Sequence, residues 1–274
     1  MNNKIYLMTA LMAFASVGAL LIHPTLAAAA PNSVFNGASS SSSNNTADIA
    51  TASLSCGQVI KDSVKLSANL DCKSDGLIVG ADGITIDLNG HTLAGPGSDS
   101  SKIGIMLATS SGVTITGPGT ISGFQAGILN TGGQDNQIGR VIFQNNQIAI
   151  FNTGAKNTDI EQNMMFNNAI AMASHSSQGT TFSKNLLESN NLAGVTLVNS
   201  AGNKIDTNII QGSNNGVFVD GQSTNNQIDT NTIMKNTGVD VNNANGLPIN
   251  INRNSFTSND CNTSVPDGLC IASK

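Results

Sequence analysis

Residues 203–211 read Asn203-Lys-Ile-Asp-Thr-Asn-Ile-Ile-Gln211, and residues 226–234 repeat this pattern as Asn226-Gln-Ile-Asp-Thr-Asn-Thr-Ile-Met234. On both sides of this pair of segments, the chain between Gly127 and Asp260 repeats every 22 to 23 residues. Three positions of the repeat are apolar throughout, and the residues at each of these positions are here called a column. The columns are Ile138, Ile160, Phe182, Ile205, Ile228 and Ile251; Phe143, Met165, Leu187, Ile210, Ile233 and Phe256; and Ile128, Ile150, Met172, Val195, Val217 and Val239. Such phasing predicts a solenoid, because each repeat can bury its apolar edge only against the repeats beside it.

The repeats predict short strands rather than helices. Ile84–Leu88 and Val217–Val219 alternate with period two and are rich in β-branched residues. The Asn-Gly, Gly-Gly and Asn-Thr-Gly clusters between such runs form turns and disfavour helix. A leucine-rich repeat has a compatible period, but its leucine consensus is missing. The expected fold class is therefore all-β, a single-stranded parallel β-helix of about eight or nine coils.

Two columns of asparagine keep the same phase. They are Asn163, Asn185, Asn208, Asn231 and Asn254; and Asn146, Asn168, Asn190, Asn236 and Asn259, interrupted at Ser213. In coils about 4.8 Å apart, each carboxamide can donate to the next one and accept from the one before. The sequence therefore predicts two asparagine ladders at the corners of the coils.

The chain divides into three predicted segments. Residues 1–30 resemble an export signal, with Lys4, an uncharged apolar run and small residues at 27–30. An uncleaved membrane anchor is the alternative, because the run just reaches spanning length. Residues 31–52 are rich in Ser and Asn and predict a flexible linker. Residues 53–274 form the predicted β-helix with capped ends, and no second long apolar run predicts a membrane span in the mature chain.

The four cysteines form two sequence-local pairs, one near each end of the repeats. Three pairings are open to Cys56, Cys72, Cys261 and Cys270. Local pairing would close short loops where the solenoid would otherwise fray, and an exported chain makes disulfides plausible. Free or metal-binding thiols are the alternative, although neither spacing resembles a zinc knuckle. We expect Cys56–Cys72 and Cys261–Cys270 disulfides.

Composition excludes some partners. The formal net charge is −5, and the arginines are Arg140 and Arg253 alone, whereas binding nucleic acid needs clustered cations. The chain has no Trp, and its one Tyr lies in the predicted signal. We therefore expect no nucleic-acid partner and no sugar site that depends on Trp or Tyr stacking.

The repeated Ile-x-x-Asn and the entry segment Ile86-Asp-Leu-Asn-Gly-His-Thr92 resemble the pectate-lyase-like superfamily, specifically its carbohydrate-binding, sugar-hydrolase and NosD-like repeats. The resemblance covers about residues 55–270 and implies a right-handed parallel β-helix. It does not fix an activity, because the superfamily includes lyases, hydrolases, epimerases and adhesins. The paired aspartates, Gly-His-Gly and Arg-Ile-Lys of its polygalacturonases are missing here.

One column of acidic residues is a candidate site. Glu161, Asp206 and Asp229 each follow an inward apolar residue, so their side chains should point outward, with Asp206 and Asp229 on adjacent coils. Two such carboxylates could remain solvated, bind Ca²⁺, or act as a catalytic pair of a glycosidase or lyase. The base of a lyase would be Lys184 or Arg253, but strict strand alternation turns their column away from the acids. No other cofactor is expected.

NosD-like proteins are described as copper-binding, and thioether and imidazole are copper ligands. Met164, Met165 and Met172 nevertheless share columns with apolar residues, so we expect them in the core. His175 lies in a Ser-rich corner, and His91 lies in the entry turn. The sequence therefore argues against a copper site.

A further column reads Leu129, Phe151, Ala173, Thr196, Phe218 and Asp240. It should point outward, so Leu129, Phe151 and Phe218 predict an exposed apolar flank for ligand binding, self-association or cover by the C-terminal segment.

Together these features predict an exported monomer that is secreted, periplasmic or on the cell surface. Its expected role is a binding or structural scaffold, with polysaccharide or a surface glycan as partner. The alternative is a polysaccharide lyase or glycoside hydrolase centred on Asp206 and Asp229.

Overall fold

A computed structural model describes residues 49–271. The predicted signal at 1–30, and the linker up to residue 48, lie outside the described residues. The last residues assigned to the linker, Ala50–Ala52, form a strand that pairs with Val64–Leu66, so the ordered coils begin slightly earlier than predicted.

The chain winds through three parallel sheets in about nine coils, which confirms the predicted all-β solenoid. Sheet 1 comprises β1 (Ala50–Ala52), β3 (Val64–Leu66), β6 (Thr85–Asp87), β9 (Thr114–Thr116), β12 (Gln137–Gly139), β15 (Asp159–Glu161), β18 (Thr181–Ser183), β21 (Lys204–Asp206), β24 (Gln227–Asp229) and β27 (Ser255–Thr257). Sheet 2 comprises β4 (Leu70–Asp71), β7 (Thr92–Ala94), β10 (Thr120–Ser122), β13 (Ile142–Gln144), β16 (Met164–Phe166), β19 (Leu186–Glu188), β22 (Ile209–Gln211), β25 (Thr232–Met234) and β28 (Asp260–Cys261). Sheet 3 comprises β2 (Gln58–Ile60), β5 (Leu77–Val79), β8 (Ile103–Ala108), β11 (Ala126–Thr131), β14 (Ile148–Thr153), β17 (Ile170–His175), β20 (Ala193–Val198), β23 (Asn215–Val219), β26 (Val239–Asn243) and β29 (Ser264–Val265).

The core is a set of apolar stacks that run along the solenoid axis. Ile205 pairs with Ile228 in sheet 1, and Ile210 pairs with Ile233 in sheet 2. All four side chains are fully buried. Burial of one apolar side chain is worth about 1.5–3 kcal/mol, and the period places such a residue in each sheet of each coil. The phased columns therefore supply the stability of the fold.

The last regular coil departs from the predicted phase. Residues 244–254 contain extra chain with a 3-10 turn at Ile249–Ile251, and the step from Asn231 to Asn259 becomes 28 residues. Ile228 consequently stacks on Phe256, and Ile251 is 59% exposed instead of buried. The predicted ends of two more columns are also wrong. Ile233 stacks on Cys261 because of the same extra chain, whereas Val217 stacks on Val241 because the corner between β25 and β26 is one residue longer than the corner one coil earlier.

Asparagine ladders form at the corners, as predicted. Between sheets 1 and 2, each Nδ2 donates to the Oδ1 of the next coil at 2.9–3.1 Å. This ladder runs Asn163, Asn185, Asn208, Asn231 and Asn259, so its last member is Asn259 and not the predicted Asn254. Asn254 instead ends a third ladder with Asn203 and Asn226, before sheet 1.

Both predicted disulfides form. Cys56 is bonded to Cys72 near the first coils, and Cys261 is bonded to Cys270 near the last, with Cα–Cα distances of 5.5 and 5.2 Å. Asp240 lies under the second disulfide loop, where its carboxylate accepts hydrogen bonds from the backbone N–H groups of Asn262 and Thr263. The end of the solenoid is therefore fixed by a covalent bond and by a buried carboxylate.

Candidate functional site

The outward face of sheet 1 carries the charged residues singled out in the sequence. Asp206 and Asp229 lie on adjacent coils in direct register. Glu161 occupies the same outward row, but Ser183 lies between it and Asp206, so the three acids do not form one cluster. The predicted adjacency thus holds for Asp206 and Asp229 and does not extend to Glu161.

Both aspartates have partners within the protein. Lys204 Nζ lies 3.2 Å from Asp206 Oδ2, and Thr257 Oγ1 donates a hydrogen bond of 2.6 Å to Asp229 Oδ1. The cation and the hydroxyl reduce the repulsion between the two carboxylates. A metal ion or a substrate at this pair would have to compete with Lys204.

A hollow opens at Gly139, three coils before Asp206. Gly139 lies in register between Thr116 and Glu161 in the outward row of sheet 1, and it supplies no side chain. A Cβ atom at Gly139 would meet only the Glu161 carbonyl oxygen, at 3.3 Å. The result is a cavity of about 220 Å³, here called the Gly139 hollow. Its walls include Thr116, Gln137, Gly139, Arg140, Asp159 and Glu161.

Cations reach this face from the corner that follows sheet 1. Arg140 and Lys184 have positive φ angles of 59° and 56°, in the left-handed region. Arg140 Nη2 donates a 2.9 Å hydrogen bond to Thr116 Oγ1, and Lys184 Nζ lies 3.7 Å from Glu161 Oε2. The expectation that Lys184 turns away from the acids is therefore wrong, because a left-handed residue breaks strand alternation. Arg253, the other predicted base, belongs to the displaced last coil and leaves the column.

Asp159 is the carboxyl group most affected by this environment. Partial burial raises its pKa, the neighbouring charge of Glu161 raises it further, and Lys184 acts in the opposite direction. Asp159 lies two residues before Glu161 on β15, so both side chains point outward from sheet 1. The Gly139 hollow therefore combines a guanidinium, two carboxyls and amide groups. The hollow could not be predicted from the sequence, because only Gly139, a residue without a side chain, marks it.

The flank assigned to Leu129, Phe151 and Phe218 differs from the prediction. Their exposed fractions are 4%, 0% and 6%, so the predicted exposure is wrong. The strands of sheet 3 stack Leu129 on Phe151, and Ile148 lies buried in a neighbouring row. These three residues do not line an open groove.

The exposed apolar row lies on sheet 2 instead. Ile142, Met164, Leu186 and Ile209 follow one another in register on the outward side. Met164 and Ile209 are 39% and 48% exposed, so the expectation that Met164 is a core residue is wrong. The adjacent Met165, and Met172 on sheet 3, are fully buried as predicted.

The copper site implied by the resemblance does not fit these residues. All four cysteines are held in disulfides, so none offers a free thiolate. His91 follows β6 and His175 ends β17, several coils apart. The buried Nδ1 of His175 has no hydrogen-bond partner, but His175 belongs to no metal-binding cluster of the described residues. Within residues 49–271, no three His, Cys, Asp or Glu side chains are grouped closely enough to hold a metal ion.

Solved structures share this β-helical fold. The chain is similar to DFA-IIIase from Arthrobacter chlorophenolicus A6 without its lid, with a TM-score of 0.54 and 13% identity over 72% of this chain and 56% of that one. It is also similar to a mutant of the periplasmic alginate epimerase AlgG, with a TM-score of 0.50 and 14% identity over 65% of this chain and 56% of that one. The chain thus spans little more than half the length of either structure, and at such identity the likeness shows the fold alone. A search of curated proteins found no match.

Two further findings bear on class and location. Two disulfides are typical of extracytoplasmic proteins. None of the helical structure in residues 49–271 has the length and apolar character needed to cross a membrane. Residues 78–268, more than half of the chain, match the family model described as periplasmic copper-binding protein (NosD), and the chain therefore belongs to the NosD family.

Proposed function

We propose that this protein is an extracytoplasmic, monomeric β-helix scaffold that binds polysaccharide along the outward face of sheet 1. The observation that carries the proposal is the Gly139 hollow, where hydrogen-bond donors and acceptors surround a concave space on the outward face of sheet 1. Sites for small ligands are concave and combine a few placed polar groups in this way. On the outward face of sheet 1, polar and charged residues continue from the hollow towards Asp229, so a long polysaccharide chain could lie along this sheet.

A panel of immobilised polysaccharides tests this proposal directly. We expect the mature protein to be retained on at least one glycan of the panel and not on duplex DNA, because the net charge of −5 repels phosphate. Sedimentation in the same buffer should show a monomer. Failure to bind any glycan of a broad panel would contradict the proposed function.

An enzyme is the second candidate, favoured by the direct register of Asp206 and Asp229. As a lyase centred on this pair, the protein would release unsaturated uronides that absorb near-ultraviolet light, and Asp206→Asn would abolish the signal. Calcium would take the place of Lys204 at the pair, because carboxylate oxygens are its preferred ligands. A calcium titration followed by calorimetry checks this part separately. Glycan binding without any product would favour the scaffold over the enzyme.

Copper binding is expected to fail in this member of the family. Titration of the mature chain with Cu(I) and with Cu(II) should show no saturable uptake, since the four cysteines form disulfides and neither His91 nor His175 belongs to a metal-binding cluster of the described residues. His175→Ala and Met164→Leu serve as controls and should leave the titration unchanged. A stoichiometric site that disappears in either variant would contradict the expectation.

A further inference from the structure

The Gly139 hollow has a size that restricts what it can bind. Its volume of about 220 Å³ lies below the roughly 300–1,000 Å³ that is usual for pockets that hold drug-sized ligands. It is open to solvent along sheet 1, and its neighbours in the outward row, Thr116 and Glu161, bound it along the solenoid axis. Such a space suits one small ring of a longer chain, with the adjoining units lying on the sheet outside it.

The walls of the hollow are held in place by contacts across coils. The guanidinium of Arg140 is fixed to Thr116 Oγ1, on the preceding coil, at 2.9 Å. On the other side Glu161 forms a half-exposed ion pair with Lys184, whose Nζ lies 3.7 Å from Glu161 Oε2. Placed side chains lose less freedom when a ligand binds, so this arrangement favours binding over a loose surface.

The charges of the hollow are close to balance. Arg140 and Lys184 contribute two positive charges, and Glu161 and Asp159 contribute two carboxyls. An anionic sugar would gain the attraction of Arg140 but would meet both carboxyls at close range. A neutral sugar avoids this repulsion: its hydroxyls can donate to Asp159 and Glu161, and its oxygens can accept from Arg140 and Gln137.

We propose that the Gly139 hollow is a subsite for one ring of a neutral, hydroxyl-rich sugar within a polysaccharide. The inference rests on the glycan-binding function proposed above and gives it a position and a ligand class. Arg140, Asp159 and Glu161 contact the sugar, and Thr116 positions Arg140. The absence of a side chain at Gly139 makes the space.

Filling the hollow tests the proposal. Gly139→Val places two methyl groups in the cavity, and the backbone at Gly139 has no positive φ that would forbid a side chain. We expect it to weaken binding of a neutral glucan, mannan or galactan by about tenfold or more, as expected when a ring loses its hydrogen bonds. Thr232→Val is the matched control, because it introduces the same side chain in the outward row of sheet 2, outside the proposed path of the glycan.

A second variant guards against a folding defect in the first. Asp159→Ala removes an acceptor from the hollow without adding bulk, and its binding should fall similarly while the urea midpoint stays near that of the unchanged protein. Polygalacturonate and alginate are the acidic comparison ligands in every titration.

The outcomes separate the subsite from the general function. Glycan binding that is equal in Gly139→Val, Asp159→Ala and the unchanged protein would overturn the subsite and leave the scaffold proposal standing. Selective retention of polygalacturonate or alginate would overturn the neutral ligand class. Loss of neutral-glycan binding in both hollow variants, with Thr232→Val unaffected, is the result that the geometry leads us to expect.

Discussion

Ile210→Ala should lower the free energy of unfolding by about 3 kcal/mol, within the usual range for truncating a buried isoleucine. Ile210 is fully buried between Leu187 and Ile233 of the neighbouring coils. It also packs against Gly194, where the backbone leaves no room for a side chain. The surrounding coils are tied by their own hydrogen bonds and cannot collapse into the cavity. Urea unfolding followed by circular dichroism measures the loss as a lower midpoint.

The neighbouring residue supplies a matched control. Ile209 lies on the same strand, β22, with its side chain directed outward and 48% exposed. Ile209→Ala removes the same atoms, yet it should change the free energy of unfolding by no more than about 0.5 kcal/mol. Equal losses in the two variants would contradict the assignment of inward and outward rows on sheet 2.

The repeating part of the fold could be predicted because burial recurs with the period. Ile205 and Ile228 occupy equivalent positions and stack directly, so the spacing in the sequence becomes a contact in space. The same logic predicted the ladder through Asn185 and Asn208 and both disulfides. Long-range pairing is normally hard to read from a sequence. In a solenoid it follows from the period alone.

The last coil could not be predicted from the period, because extra residues displace it. Ile251 mimics the next member of an apolar column but lies in a 3-10 turn on the surface. The Asn245-Gly246 pair and Pro248 are turn signals that mark the interruption. If the repeat positions are counted backward from Cys261 instead of forward from Ile228, the apolar positions of the last coil are assigned correctly.

The candidate site was predicted only in part, for reasons of backbone conformation. The register of Asp206 with Asp229 followed from the repeat. The approach of Arg140 and Lys184 did not, because it depends on left-handed corner residues that a simple alternation rule ignores. Met164 could have been recognised as outward from its neighbour, since Met165 is buried and adjacent strand residues face opposite sides.

Asn208→Ala should be as costly as the loss of a large core side chain. The Oδ1 of Asn208 accepts from the backbone N–H and the Nδ2 of Asn185, and its own Nδ2 donates to Asn231 Oδ1 and to the Phe182 carbonyl. All of these groups are buried, so truncation leaves several donors and acceptors without partners. At about 1–3 kcal/mol for each buried group left unpaired, we expect a total loss of about 3–5 kcal/mol. The urea midpoint again measures it.

Two further substitutions show whether the stacked carboxamides of the ladder are responsible for the loss of stability in Asn208→Ala. Asn208→Asp keeps the acceptor but directs a carboxylate at Asn231 Oδ1, so burial and repulsion should raise the pKa of the introduced group. Its destabilisation should therefore be greatest at neutral pH and diminish as the pH falls through that raised pKa, since the protonated carboxyl can donate.

Ser213→Asn acts in the opposite direction. Ser213 interrupts the ladder of Asn146, Asn168 and Asn190, and its buried Oγ has no partner, so an amide there should add about 1 kcal/mol. A Ser213→Asn variant that is less stable than the unchanged protein, together with a pH-independent Asn208→Asp, would show that stacked carboxamides do not stabilise this corner.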